Sequence, residues 1–301
     1  MKLIIDTDIG DDIDDAYALV LAATDDEIEI KGVTTVYRNS AERAKIAAGL
    51  LCMTGKDDVT VAAGEDCAYS VPYVVEPFEN LGSDGKPHIP QLLDSFKKYT
   101  YSDKNAVDFI NEIASQYPNE VTLLELAPAT NAARAFQKSP ESFRKLKNIV
   151  MMGGQSGGTF AEWNIRCDPE AAAIVLGSGV DFTLIGIDVT KNATLTDEEE
   201  KRLMSADNRA LKACSEMLFK MHNDRPNRAT CLHDVAALAE LTENFCKFRS
   251  QKTVIPTEGE LWAKTVESAD GNMIKMAVGF DRAAFMQWFF EKTDKLNKAN
   301  K

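Results

Sequence analysis

Apolar residues in this chain fall in short unbroken runs, separated by longer stretches in which they recur every three or four positions. The runs cover residues 2–5, 28–36, 59–62, 121–126, 149–151 and 182–187. Several are apolar throughout rather than alternating, the pattern of parallel strands covered on both faces. Helix signals stand between them. Ser40 is placed to cap a helix over 41–53 that stops at Thr54-Gly55, and Asp103 one that ends at Tyr117-Pro118. Asp168-Pro169-Glu170 sets a capping acid before a proline at the first helical position, and Thr196 with Glu199 makes a capping box. Strand then helix, repeated, predicts an α/β, doubly wound, mostly parallel sheet with helices on both faces. Near the C-terminus two β-rich runs between 254 and 280 flank Asp270-Gly271, which predicts an antiparallel hairpin, and a helix over about 281–292 follows. No linker or repeat divides the 301 residues, so a single domain over 1–301 is expected.

Composition narrows the classes. A hydrophobic share of 45% with 27% charged residues is that of a folded globular protein rather than a disordered one. The 34 basic and 47 acidic residues leave a net charge of −13, which repels phosphate backbones and anionic lipid, so neither nucleic acid nor membrane is expected as a partner. The first apolar run is too short for a signal peptide and no stretch is long enough to span a bilayer. Six dispersed cysteines without a C-x-x-C pair read as reduced thiols, mostly buried, and with the foregoing they point to a cytoplasmic protein.

In open α/β sheets ligands bind beyond the carboxyl ends of the strands. Here the first strand leads into Asp6-Thr7-Asp8-Ile9-Gly10-Asp11-Asp12-Ile13-Asp14-Asp15, six aspartates in ten residues. One helix N-terminus favours about one negative charge, not six, and like charges so close repel. A divalent cation on carboxylate oxygens would offset them, with Ca2+ or Mg2+ preferred over zinc. A solvated acidic turn is the plainer alternative, but the buried strand sets this loop at the sheet's binding edge. Later strand ends carry Arg38-Asn39, Ala127-Pro128-Ala129-Thr130-Asn131 and Met152-Gly153-Gly154. Glu162-Trp163-Asn164 offers an acceptor, a flat apolar surface and an amide, suited to a polyhydroxylated ligand, and His233-Asp234 opens a helix. Alone, these last two read as a surface loop and a helix cap.

In this order and spacing the residues resemble the nucleoside hydrolases, the inosine/uridine-preferring ribohydrolase family. The likeness rests on Asp6-Thr7-Asp8-Ile9-Gly10…Asp14-Asp15-Ala16, Val33-Thr34-Thr35-Val36 with Asn39, Pro128-Ala129-Thr130-Asn131, Met151-Met152-Gly153-Gly154, Glu162-Trp163-Asn164, Asp168-Pro169-Glu170, Asp188-Val189-Thr190 and His233-Asp234. The resemblance implies Ca2+-dependent hydrolysis of the N-glycosidic bond of ribonucleosides, in nucleoside salvage or catabolism, by a homo-oligomer (dimer or tetramer). It implies Asp8 as general base and metal ligand, with Asp15, Asp234 and the Leu126 carbonyl as further ligands. Asp14, Asn39, Glu162 and Asn164 would hold the ribose, Met152 would pack beneath it, and His233 would activate the leaving base. From its position in the chain alone, the helical stretch over 221–231, with Arg225 and Arg228, is expected to border the base pocket.

The chain also departs from the family pattern. The first loop is two residues longer than the commoner Asp-x-Asp-x-Gly-x-Asp-Asp form, so alignment on the following helix selects Asp14/Asp15 and alignment of the acid pair nearest Asp8 selects Asp11/Asp12. The asparagine that touches the 5′-hydroxyl is missing between Gly154 and Glu162, and Leu81 stands where a histidine is often found. Two other readings remain. Residues 2–8 also resemble the start of a haloacid-dehalogenase-like Mg2+ phosphatase, with Asp6 as nucleophile, and a catalytically inactive Ca2+-stabilised binding protein would retain the same residues.

Overall fold

The computed structural model describes residues 1–70 and 85–298. Strands β1 (Lys2–Thr7), β2 (Glu29–Thr35), β3 (Val61–Ala63), β4 (Val121–Glu125), β5 (Asn148–Met152), β6 (Phe182–Ile185), β7 (Cys246–Val254), β8 (Val266–Glu267) and β9 (Asn272–Phe280) form one sheet in the order β3-β2-β1-β4-β5-β6-β9-β7-β8. All neighbours from β3 to β9 run parallel, β7 runs antiparallel to β9, and β8 antiparallel to β7. The unbroken apolar runs follow from burial on both faces. Leu3, Ile5, Val33 and Leu124 face a layer built on the helices Asp14–Thr24, Ser40–Met53, Arg209–Asp224, His233–Ala239 and Arg282–Lys298. Ile4, Leu123, Ile149 and Met151 face the helices Ala106–Gln116, Thr130–Lys138 and Pro169–Leu176. Each of these strand residues contributes about 1.5–3 kcal/mol of burial free energy. The chain winds outward from β1 through β2 to β3 and returns to β4, so the crevice where strand order reverses opens beyond the carboxyl ends of β1 and β4.

Several local expectations change. Asn39, not Ser40, stands at the boundary of the Ser40–Met53 helix, because the Ser40 hydroxyl is taken by the Gly64 carbonyl and Asp66 Oδ1, each at 2.8 Å. Asn105, not Asp103, caps Ala106–Gln116, accepting from the Val107 amide at 2.9 Å. The Asp168 cap and the Thr196–Glu199 capping box form. A turn closes at Asp270-Gly271, the Gly271 amide donating to the Ser268 carbonyl at 3.0 Å, but the strands it joins do not pair with each other. Both pair with β7, whose Thr253 backbone approaches Gly271 so closely that a Cβ there would lie 2.6 Å from it. The last helix runs on to Lys298, and the one before the predicted base pocket stops at Asp224, leaving Arg225 and Arg228 in a connection. All six cysteines are free; Cys167 and Cys214 are buried, Cys52, Cys231 and Cys246 only partly so, and Cys67 is exposed, fewer inside than expected. Among the described residues no helix is long and apolar enough to cross a membrane.

Candidate active site

The loop after β1 turns into the crevice on two apolar anchors, Ile9 and Ile13, both buried. Gly10 permits the turn: its φ is +120°, and a Cβ would meet Ile89 Cγ2 at 2.4 Å. Asp14 and Asp15 form the first turn of the next helix, where the dipole favours negative charge, yet both are buried. The Thr7 hydroxyl donates to Asp15 Oδ1, and the Asp234 amide donates to Asp14 Oδ2 at 3.2 Å. Asp234 comes from the start of His233–Ala239, and one carboxylate oxygen from each of Asp14, Asp15 and Asp234 lies within 4.8 Å of the others.

Burial, and then the neighbouring carboxylates, push these acids up. Asp8 rises to about 8 despite the Arg43 charge, Asp14 rises to about 7, and Asp15 and Asp234 rise well above the ordinary range. Asp8 raises both Asp15 and Asp234, so the four form one electrostatic unit. Buried, mutually repelling oxygen donors at this separation fit a hard divalent cation such as Ca2+, whose charge reverses the cost of keeping them ionised.

The first loop's other acids go elsewhere. Asp11 pairs with Arg43 at 2.8 Å, and Asp12 pairs with Arg228 and, at 3.5 Å, with Arg225. Of the two alternative pairs, then, Asp14/Asp15 join the buried acid group and Asp11/Asp12 lie among arginines.

A second set gathers at the ends of β4 and β5. Asn164 Nδ2 donates to the Leu126 carbonyl at 3.1 Å and to the Met152 carbonyl at 3.0 Å. Glu162 caps the Trp163–Cys167 helix, its carboxylate accepting from the Asn164, Ile165 and Gly154 amides at 3.1, 3.3 and 2.9 Å. Burial raises the Glu162 carboxyl. Burial, then the charges of Asp8 and Glu162, push the Cys167 thiol up, so the two sets share one electrostatic neighbourhood. Asn39 donates to the Pro87 carbonyl at 3.2 Å, while its buried Oδ1 has no partner among the described residues. His233 Nδ1 lies 2.7 Å from the Thr190 hydroxyl, and burial followed by the Arg228 charge holds the imidazole down to about 4, so it is neutral at neutral pH.

Sequence reasoning missed Arg43, fully buried and donating to the carbonyls of Tyr37 at 2.9 Å, Ile9 at 3.1 Å, and Asp8. Its signal was present: with Ile46, Ala47 and Leu50 it falls on the buried stripe of its helix, where a lone arginine needs partners. Asp6 was read as a phosphatase nucleophile, but it is wholly buried, and Thr34 and Asn131 donate to its Oδ1 at 2.6 and 2.8 Å. Leu81 lies outside the described residues.

The strand order and a buried acid group at the switch point define an α/β protein built to bind a small ligand beyond β1 and β4. Residues 3–287 match the family described as inosine-uridine preferring nucleoside hydrolase, and the chain belongs to that family. It is 39% identical over 225 residues to uridine nucleosidase 1 of Arabidopsis thaliana, a match covering 72% of this chain and 65% of that relative. It is 29% identical to the non-specific ribonucleoside hydrolase RihC of Escherichia coli over 97% of each chain. Among solved structures a plant nucleoside hydrolase, the PpNRh1 enzyme, superposes with a TM-score of 0.82 at 26% identity, covering 97% of this chain and 98% of that one. The chain thus spans just under two thirds of the plant uridine nucleosidase it matches.

Proposed function

We propose that this protein hydrolyses the N-glycosidic bond of ribonucleosides to ribose and free base, with Ca2+ as its resident cation. The reading rests on one observation above all, the buried carboxylate oxygens of Asp14, Asp15 and Asp234 within 4.8 Å of one another. Asp8, Asp15, Asp234 and the Leu126 carbonyl would hold the cation, and Asp14, Asn39, Glu162 and Asn164 the ribose hydroxyls, with Met152 beneath the ring. When bound, the cation supplies Lewis-acid polarisation of water and of the sugar diol.

Cleavage of an N-glycosidic bond passes through an oxocarbenium-like state, so the site must favour positive charge on the sugar and take a proton from water. The carboxylates do the first, and Asp8 takes the proton. Asn39 Oδ1, without a partner among the described residues, and the buried Glu162 carboxylate are acceptors matched to ribose hydroxyls, and fixing the ring this way removes orientational freedom before the bond breaks. His233 works as a neutral donor, not as an imidazolium held ready. With Nδ1 accepting from the Thr190 hydroxyl, the ring proton sits on Nε2, the atom left for the departing base.

The test is ribose release across a panel of purine and pyrimidine nucleosides, after chelation and after Ca2+ is restored. Release that stops with chelator and returns with Ca2+ supports the reading. Chelator-insensitive release overturns the cation's part, and no release from any nucleoside overturns the whole.

A further inference from the structure

We propose that Arg225 and Arg228, by clamping the two-residue extension Asp11-Asp12, are positioning residues that hold the two halves of the cation site in register. The inference rests on the cation reading above. The acids of that site come from segments more than 200 residues apart: Asp8, Asp14 and Asp15 follow β1, and Asp234 opens the His233–Ala239 helix. The connection over residues 225–232 delivers Asp234. Its far end is fastened by the Leu195 amide on the Thr230 carbonyl at 2.9 Å and the Leu232 amide on the Ala193 carbonyl at 3.2 Å. Its near end is fastened to the first loop: Arg225 donates to the Asp11 carbonyl and pairs with Asp12 Oδ1 at 3.5 Å, and Arg228 donates to Asp12 Oδ2. Arg43 braces the same loop from beneath, through the carbonyls of Asp8 and Ile9 and through Asp11 Oδ2.

The two acids by which this loop exceeds the commoner pattern are therefore those the arginines hold. Single ion pairs at this exposure contribute little, but Asp12 sits between two arginines while Asp11 bridges Arg43 and Arg225, which makes a network across two segments.

The sign of one measurement separates this clamp from mere proximity of charge. Arg228 lies close enough to stabilise ionised Asp14 and to disfavour a charged His233. As a bystander cation it would repel Ca2+, so Arg228→Gln would tighten Ca2+ binding. As a clamp its loss lets the halves drift, and Arg228→Gln weakens binding by about tenfold or more, the range for groups that orient metal ligands.

The experiment is calorimetric titration of the chelator-treated full-length protein with Ca2+, for wild type, Arg228→Gln, Arg228→Lys, Asp12→Asn and the Asp12→Asn/Arg228→Gln double variant. Weakening in both single neutralising variants, no further loss in the double variant and recovery in Arg228→Lys support the clamp. Equal or tighter binding by Arg228→Gln, or cancellation in the double variant, overturns it and leaves the cation reading intact. A wild type that takes up no Ca2+ removes both.

Discussion

The carboxyl end of β1 and the ribbon of β7 and β9 use the same extended backbone to opposite ends. At β1, Asp6, Thr7 and Asp8 are buried, enclosed by strands on both sides and by helices that begin at Asp14 and His233. Along β9, buried Ile274 and Met276 alternate with exposed Met273 and Lys275, because only one face is covered there. The ribbon buries one face and leaves the other to solvent, Met273 and Val278 included, and holds no buried carboxyl, whereas the β1 junction buries several. Carboxyls that burial pushes up cost stability in the empty protein, and such a cost persists where binding or chemistry depends on it.

The comparison is tested most severely at Asp15. Asp15→Asn removes a buried charge that Asp8 and Asp14 both oppose. Ribose release should fall by about a thousandfold or more, while the melting temperature in chelator rises. A variant that loses both activity and cation-free stability would mean the acid is structural, and the contrast with the ribbon would fail.

Glu162 should give the next largest effect. Its carboxylate faces only donors, the Gly154, Asn164 and Ile165 amides. Glu162→Gln turns one oxygen into a donor against a donor. It should lower kcat/KM by about tenfold to a hundredfold and cost about 1–2 kcal/mol by denaturant melts. A loss of stability with kcat/KM for the nucleoside unchanged would place Glu162 with the scaffold.

A smaller effect separates the regions by pH. Asp8 and Asp14 are raised to about 8 and about 7 in the folded chain, above the ordinary aspartate value near 3.9. The folded state therefore holds protons that the unfolded state has released. That contribution is present at low pH and lost as pH rises through the folded values. His233, lowered to about 4, acts oppositely, and its contribution is lost only as pH falls below about 6.5. Between pH 6.5 and 8 Asp8 and Asp14 lose their protons in the folded chain, so the melting temperature in chelator should fall across that window and Ca2+ should remove the slope. A flat profile in chelator would contradict the burial argument.

How much was legible follows the same division. Strands β1 to β6 were readable because two-sided burial leaves unbroken apolar runs, and the Asp168 and Thr196 caps because their partners lie within three residues. Ser40 was misread because its hydroxyl has partners in space, Gly64 and Asp66, and Asp103 because Asn105, two residues on, takes the cap. Asp270-Gly271 announced a turn correctly, yet nothing local said that β7 would lie between the strands it joins. At the site, motif spacing pointed to Asp8, and the following helix to Asp14 and Asp15; that Asp11 and Asp12 pair with Arg43, Arg225 and Arg228 was not legible, because those partners lie far off in sequence. His233 was expected to activate the leaving base, but the burial and the Arg228 charge that keep its ring neutral were invisible from the chain.

The smallest effect belongs to the ribbon and sets the baseline for the others. Met273 is 62% exposed on β9 and stands directly opposite Lys252 of β7. Met273→Glu places an opposite charge across the pair, and Met273→Lys a like one. Cross-strand pairs of this kind are worth about 0.2–1 kcal/mol, so Glu should stabilise slightly and Lys destabilise by as little, both read in denaturant melts. Neither should alter ribose release or Ca2+ affinity, since β5 and β6 stand between this ribbon and the crevice beyond β1 and β4. If either substitution shifted Ca2+ affinity severalfold, the ribbon would be coupled to the acid group, and the division between a strand end that bears strain for binding and a ribbon that only covers the core would not stand.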